Sequence, residues 1–241
     1  MIALDGVYKT YLMGSQHLHA LNNVSEVIEA GDYVAVMGPS GSGKSTLLNI
    51  MGCLDRPSAG SYHLDGQEVG ELSQEQISQV RQQQIGFVFQ TFHLVPRLEA
   101  AENVAFPMVF AGVPRAERRD RAAAALNAVG LGDRLHHRPA EMSGGEQQRV
   151  AIARSTIMQP NVLLADEPTG NLDSAAGHQV MDLLETMNGD GLTLIVVTHD
   201  PGVACRANRA LVMRDGSIVQ RVSGTELARI STLAPQPEPT D

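Results

Sequence analysis

Two cysteines, Cys53 and Cys205, are all that the 241 residues contain, and no C-x-x-C spacing occurs. That argues against a zinc or dithiol motif and reads as two inert thiols in a reducing compartment. Long runs of Lys and Arg are also missing, and the net charge is -9. A nucleic-acid binder needs a basic face, so no nucleic-acid partner is expected. The longest apolar runs, such as Leu194 to Val197, have strand length. None approaches the ~20 residues of a spanning helix. The opening MIALDGVYKTYL lacks a basic segment followed by an apolar one, so no signal peptide is expected. Nor is there an internal repeat. A cytoplasmic chain is expected, with any membrane role reached through a partner.

The composition does support a core, since 43% of the residues are apolar. Alternating apolar, β-branched and aromatic residues predict strands over Ile2–Leu12 and Leu18–Ile28. Short apolar runs predict buried strands at Tyr33–Met37, Ile85–Phe89, Val162–Ala165 and Leu192–Val197. Ser61–Leu64 ends at a turn, Asp65-Gly66. Helices are expected over Leu47–Leu54, Ser73–Gln84 (opened by Ser73-x-x-Gln76) and Ser174–Met187. Asp215-Gly216 between Ala210–Arg214 and Ser217–Val222 signals a hairpin. Residues from about 99 to 157 carry Ala-rich and charge-rich helical segments such as Arg115–Val129, and no strand pattern. The expected plan is one domain over 1–230. Its α/β core spans 1–92 and 160–230, and a helical lobe is inserted over about 93–159. Thr225–Ile230 fits a last helix, and 231–241 reads as a disordered, Pro-rich tail. Uninterrupted apolar strands alternating with helices predict a mainly parallel sheet covered on both faces. Ligands of such sheets sit beyond the carboxyl ends of the strands.

Gly38-Pro39-Ser40-Gly41-Ser42-Gly43-Lys44-Ser45 fits GxxxxGK[ST] directly after the Tyr33–Met37 run. Glycines allow close backbone approach to phosphates, and the amides from Gly41 to Thr46 and the following helix N-terminus favour an anion. Lys44 supplies charge for the β- and γ-phosphates, and the Ser45 hydroxyl suits Mg²⁺. Asp166-Glu167 closes another buried strand. Asp166 suits Mg²⁺, directly or through water, and Glu167 a general base for an attacking water. Ser143-Gly144-Gly145-Glu146 opens a helix that Ser143 can cap, a second anion-binding terminus. One nucleotide offers one triphosphate, so the surplus suggests two copies paired head to tail.

These elements resemble the ATP-binding subunits of ATP-binding cassette (ABC) transporters from about Ile2 to Val222. The match rests on the phosphate loop, Gln90 after Phe89, SGGEQQRVAIAR from Ser143 to Arg154, LLADEPTGNLD from Leu163 to Asp173, and Thr198-His199-Asp200. The resemblance implies the ABC ATPase fold, a phosphate-loop NTPase core with an N-terminal antiparallel β-subdomain. It also implies an ATP hydrolase that uses Mg²⁺ and clamps two ATP molecules in a homodimer. It assigns Gln90 to Mg²⁺ and the water, His199 to the γ-phosphate, and Asp173 to the dimer seam. A helix cap is the plainer reading of Asp173. Tyr11 is the favoured adenine-stacking aromatic, with Tyr8 the competitor. The family usually carries Gln where this chain has Glu146. A carboxylate facing a triphosphate would be repelled, so Glu146 is expected to close a capping box with Ser143. GCLDRPSAG (Gly52–Gly60) and ADEPTGNLDS look like the macrolide-export and lipoprotein-release branch. A separate membrane permease is then implied, possibly with a periplasmic adaptor. Its docking helix is expected near Phe92–Pro96, where apolar residues equally fit lobe packing. A cassette that signals through a membrane protein without transport, or a soluble cassette ATPase, are the alternatives.

Overall fold

In the computed structural model, residues 1–14, 16–224 and 226 are described. Of the expected last helix at 225–230, all but Glu226 lies outside the described residues, as does the tail at 231–241.

Six strands form the central sheet, in the order β10 (Ser217–Ser223), β9 (Arg209–Arg214), β3 (Tyr33–Met37), β8 (Thr193–Val197), β7 (Val162–Asp166), β6 (Ile85–Phe89). All neighbours pair in parallel except β9 and β10, which close the hairpin at Asp215-Gly216. Both turn residues have positive φ, 49° and 77°, as a two-residue hairpin turn requires. The parallel strands are buried on both faces, and their residues alternate between two cores. Val34, Val36, Ile195 and Val197 face one core, and Tyr33, Ala35, Leu194 and Val196 the other. Burial on both faces explains why these strands read as unbroken apolar runs.

The first core is roofed by an antiparallel sheet ordered β2 (Gln16–Ile28), β1 (Ile2–Met13), β4 (Ala59–Leu64), β5 (Gln67–Glu68). Helix α1 (Lys44–Met51) lies within that core and buries Leu47, Leu48, Ile50 and Met51. It begins three residues before the apolar pattern does, because its first turn, Lys44-Ser45-Thr46, is polar. Helix α2 (Gln74–Gln84) opens with the expected capping box between Ser73 and Gln76.

On the opposite face lies α6 (Ser174–Gly189), which buries Val180, Met181 and Leu184. Helices α3 (Ala100–Phe110), α4 (Arg115–Ala128) and α5 (Gly144–Thr156) enclose a third core around Val104, Met108, Leu126 and Val150. Leu94 packs on this lobe core, and Phe92 and Val95 are half-buried. The Phe92–Pro96 segment therefore does not form the exposed apolar face expected for docking. Within the lobe, the exposed large apolar side chains lie on α3, at Phe106, Val109 and Phe110. A four-residue helix, α7 (Pro201–Ala204), and the two-residue β5 had no sequence signal.

Candidate functional site

The strand order β3-β8-β7-β6 brings four loops to one edge of the sheet, in keeping with where ligands sit in open parallel sheets. The phosphate loop leaves β3. Gly43 is the N-cap of α1 and offers no side chain to the first-turn amides. These amides are the ones a helix leaves without intrahelical partners. Gly43 has φ 99°, and a Cβ there would lie 2.5 Å from the Ala20 carbonyl oxygen. Only glycine fits. The Ser42 hydroxyl is buried without a hydrogen-bond partner. Lys44 Nζ donates to the Gly38 and Pro39 carbonyls at 2.8 and 2.9 Å. A shallow pocket of about 300 Å³ opens here, lined by Ser40, Gly41, Gly43, Lys44, Ser45 and Thr46 together with Tyr11 and Leu18 of the β1–β2 hairpin. Tyr8 does not line it. An uncapped helix terminus, an unpaired buried hydroxyl and a lysine form a cradle that fits a triphosphate.

Asp166 ends β7. Burial raises its carboxyl above the ordinary value, the Glu167 charge adds to this, and Lys44 opposes it. A divalent cation would relieve that cost, and the oxygens of the Ser45 hydroxyl and Asp166 have the chemistry to hold one. No cluster of three or more His, Cys, Asp or Glu that could hold a metal ion exists among the described residues.

Glu167 takes a left-handed conformation, φ 47°, and its amide donates to the Val197 carbonyl at 2.9 Å. Such strain costs roughly 1–3 kcal/mol and clusters at functional sites. His199 follows β8. Its backbone amide lies 3.1 Å from Glu167 Oε1, and its ring Nδ1 lies 2.8 Å from the same oxygen. A carboxylate and an imidazole thus meet at the ends of adjacent strands, able to hold or move a proton.

Gln90 follows β6, is exposed, and donates from Nε2 to Asn171 Oδ1 at 3.2 Å. Asn171 donates back to the Gln90 carbonyl at 3.0 Å. Asp173 is exposed and caps α6, accepting from the Ala176 amide at 2.8 Å. Ser143 caps α5. Its amide donates to Glu146 Oε2 at 2.8 Å, and its hydroxyl accepts from the Glu146 amide at 3.3 Å, which completes the expected capping box. Arg134 donates to the other Glu146 oxygen at 3.1 Å. Gly144 lies beside Leu172 and Asn171, and Gly145 beside Ala176. No residue of 143–146 lines the phosphate-loop pocket.

Sequence reasoning missed Gln148. It is fully buried, and its Nε2 donates to the Phe89 carbonyl at 3.3 Å and the Pro168 carbonyl at 2.6 Å. One amide on α5 thereby ties the residue before Gln90 to the residue after Glu167. Nothing in the sequence singled it out from Gln147 beside it, since only burial distinguishes them.

A triphosphate cradle with acids and an imidazole on the neighbouring strand ends defines a phosphate-loop nucleoside triphosphatase with a helical lobe. Comparison with known proteins narrows the class. Residues 21–170 match the family model described as ABC transporter. The ABC transporter ATP-binding protein YknY of Bacillus subtilis (strain 168) is 48% identical over 224 residues, covering 93% of this chain and 97% of that protein. The macrolide export ATP-binding/permease protein MacB of Brucella melitensis is 48% identical over 239 residues, 99% of this chain but 37% of that protein. The chain thus spans little more than a third of the MacB relative. A dimeric, post-hydrolysis structure of the ATP-binding cassette MJ0796 bound to ADP and Pi matches with a TM-score of 0.85 and 44% identity. That match covers 92% of this chain and 98% of the other. The chain belongs to the ABC transporter family and is an ATP-binding, ATP-hydrolysing cassette of it.

Proposed function

We propose that this chain is the ATPase subunit of an export or mechanotransmission machine of the macrolide and lipoprotein type. On this reading it works as an ATP-sandwich homodimer on the inner face of the cell membrane, attached to a separate permease, with or without a periplasmic adaptor. The observation that carries the reading is the alignment of the phosphate loop, Asp166-Glu167, His199 and Gln90 along consecutive strand ends of one sheet. The α5 terminus at Ser143 lies outside that chain's own pocket, which favours its use by a second copy. The relatives point the same way: MJ0796 is a dimeric cassette, and MacB joins ATP-binding and permease parts.

In this reading the amides of 41–46 and Lys44 hold the triphosphate, and Tyr11 stacks on the base. Ser45, Asp166 and Gln90 would hold Mg²⁺, which would screen phosphate charge. Glu167 accepts the proton of the attacking water, while His199 and Lys44 stabilise charge on the γ-phosphate. The partner's copy of Ser143-Gly144-Gly145 closes over the same phosphates, and Asp173 sits at the seam. Residues 93–159 act as a lobe that moves against 1–92 and 160–230. The permease helix docks in a groove of about 660 Å³ lined by Leu54, Phe87, Phe89, Phe106 and Phe110.

Glu167→Gln tests the mechanism. The variant is expected to bind ATP, lose phosphate release by ~10²-fold or more, and accumulate as an ATP-bound dimer in light scattering. Near-normal turnover removes Glu167 from its role.

A further inference from the structure

We propose that Asp55 and Lys9 are positioning residues that clamp the Tyr11 ring for the nucleotide base. The inference rests on the reading of Tyr11 as the base-stacking residue.

Asp55 lies just beyond α1, the helix that the phosphate loop opens. Its two carboxylate oxygens take different partners. Oδ2 accepts the Tyr11 hydroxyl at 2.8 Å, and Oδ1 accepts Lys9 Nζ at 2.5 Å and the Arg56 amide at 2.7 Å. Lys9 also donates to the Arg56 carbonyl at 2.8 Å, and its side chain is 12% exposed. Two residues before Tyr11 on the same strand, Lys9 sits 4.9 Å from the centre of the Tyr11 ring. The cation therefore occupies one ring face, and the hydroxyl is pinned at the far end. Stacking is left to the remaining face, in a pocket that Tyr11 shares with Thr46 and the phosphate loop.

The protonation states agree with this geometry. Burial, helped by Asp55, holds the Tyr11 hydroxyl protonated and hence a donor. Burial pushes the Asp55 carboxyl up, but the Lys9 and Tyr11 hydrogen bonds outweigh it and leave the carboxyl below its ordinary value. Asp55 stays an acceptor at neutral pH. A tyrosine has two soft torsions, and fixing both before the base arrives removes an ordering cost from binding.

The consequence is selective: the clamp acts on the base and not on the phosphates. The test measures equilibrium binding of ATP and of inorganic tripolyphosphate, which has no base, to the full chain and its variants. Tyr11→Phe is expected to weaken ATP by about fivefold, the worth of one hydrogen bond, and Asp55→Ala, which also releases Lys9, by at least as much. Tripolyphosphate affinity is expected to stay within about twofold, as is usual for a site without shared contacts. The double variant Tyr11→Phe with Asp55→Ala is expected to be no weaker than Asp55→Ala alone, because the bond that Tyr11→Phe removes is already gone. Asp55→Asn keeps an acceptor for the hydroxyl and is expected to fall between wild type and Asp55→Ala. Unchanged ATP affinity in Asp55→Ala, alongside weakened binding in Tyr11→Ala, overturns the clamp and leaves the base-stacking reading standing. Unchanged affinity in Tyr11→Ala overturns that reading and the clamp with it. A parallel loss of ATP and tripolyphosphate in Asp55→Ala overturns the clamp, since Asp55 then supports the phosphate loop instead.

Discussion

Glu146 occupies the position where a neutral glutamine is usual in the family it resembles, and its surroundings explain how a charge is tolerated there. The Ser143 amide, acting first, and then Arg134 and the Ser143 hydroxyl outweigh desolvation and hold the carboxyl below its ordinary value of 4.5. Negative charge in the first turn of α5 also suits the helix dipole. A folded-state value below the unfolded one means that the native protein binds this proton less tightly. The resulting stabilisation is full above about pH 4.5 and fades as pH falls through the folded value. Glu146→Gln is therefore expected to cost about 0.3–1 kcal/mol near pH 7, with the difference from wild type shrinking in melts below pH 4. A gap that stays constant from pH 7 to pH 3 contradicts this account. The capping box was legible because Ser143 and Glu146 are three residues apart. The Arg134 contact was not, since it depends on where the preceding turn lands.

Among the elements, α5 has the most consequences. Its N-terminus presents Ser143, and Gln148, one turn further on, grips both the Gln90 loop and the Glu167 loop. Further along, Arg154 donates to the Phe92 and His93 carbonyls at 2.9 and 2.6 Å, fixing two residues of left-handed conformation. α5 is thus tied by hydrogen bonds to the loops that carry Gln90 and Glu167. Gln148→Leu keeps the volume and removes the donors, so it is expected to lower kcat by about 10-fold with little change in ATP affinity. The buried Pro168 carbonyl that loses its donor sets the scale, since an unmet buried polar group costs about 1–3 kcal/mol, whereas the Phe89 carbonyl keeps the Phe92 amide. Single-turnover phosphate release and equilibrium ATP binding separate the two effects. An unchanged kcat removes Gln148 as the link. The strands β3, β7 and β8 could be read as buried from their composition, whereas the ties made by α5 could not, because helical periodicity marks a buried face without saying what lies against it.

At the scale of the whole molecule, the surface carries an exposed aromatic cluster on the helical lobe. No helix among the described residues is long and apolar enough to cross a membrane. The groove between α2, β6 and α3 gathers aromatic residues, with Phe110 72% exposed and Phe106 40% exposed. Their rings meet edge to face, with centroids 5.2 Å apart. An exposed aromatic cluster of this kind is the surface on which the proposed docking can be tested. Phe106→Ser with Phe110→Ser is expected to abolish co-purification with the permease in detergent. Melting curves and ATP binding of the same variant exclude loss of fold. Retained co-purification places the docking surface elsewhere.

The phosphate loop was determined by the sequence alone, because its glycines, lysine and serine act through eight contiguous residues and the strand and helix that flank them. The same locality made the capping boxes at Ser73 and Ser143 and the turn at Asp215-Gly216 readable. Tertiary structure decided everything that requires distant segments to meet. Glu167 and His199 share a hydrogen bond across 32 positions, and Tyr11 and Asp55 across 44. Those meetings depend on β7 pairing with β8 and on β1 covering the exit of α1. Strand register and layer packing come from burying both faces of a sheet at once, a condition that no short stretch of residues can satisfy by itself.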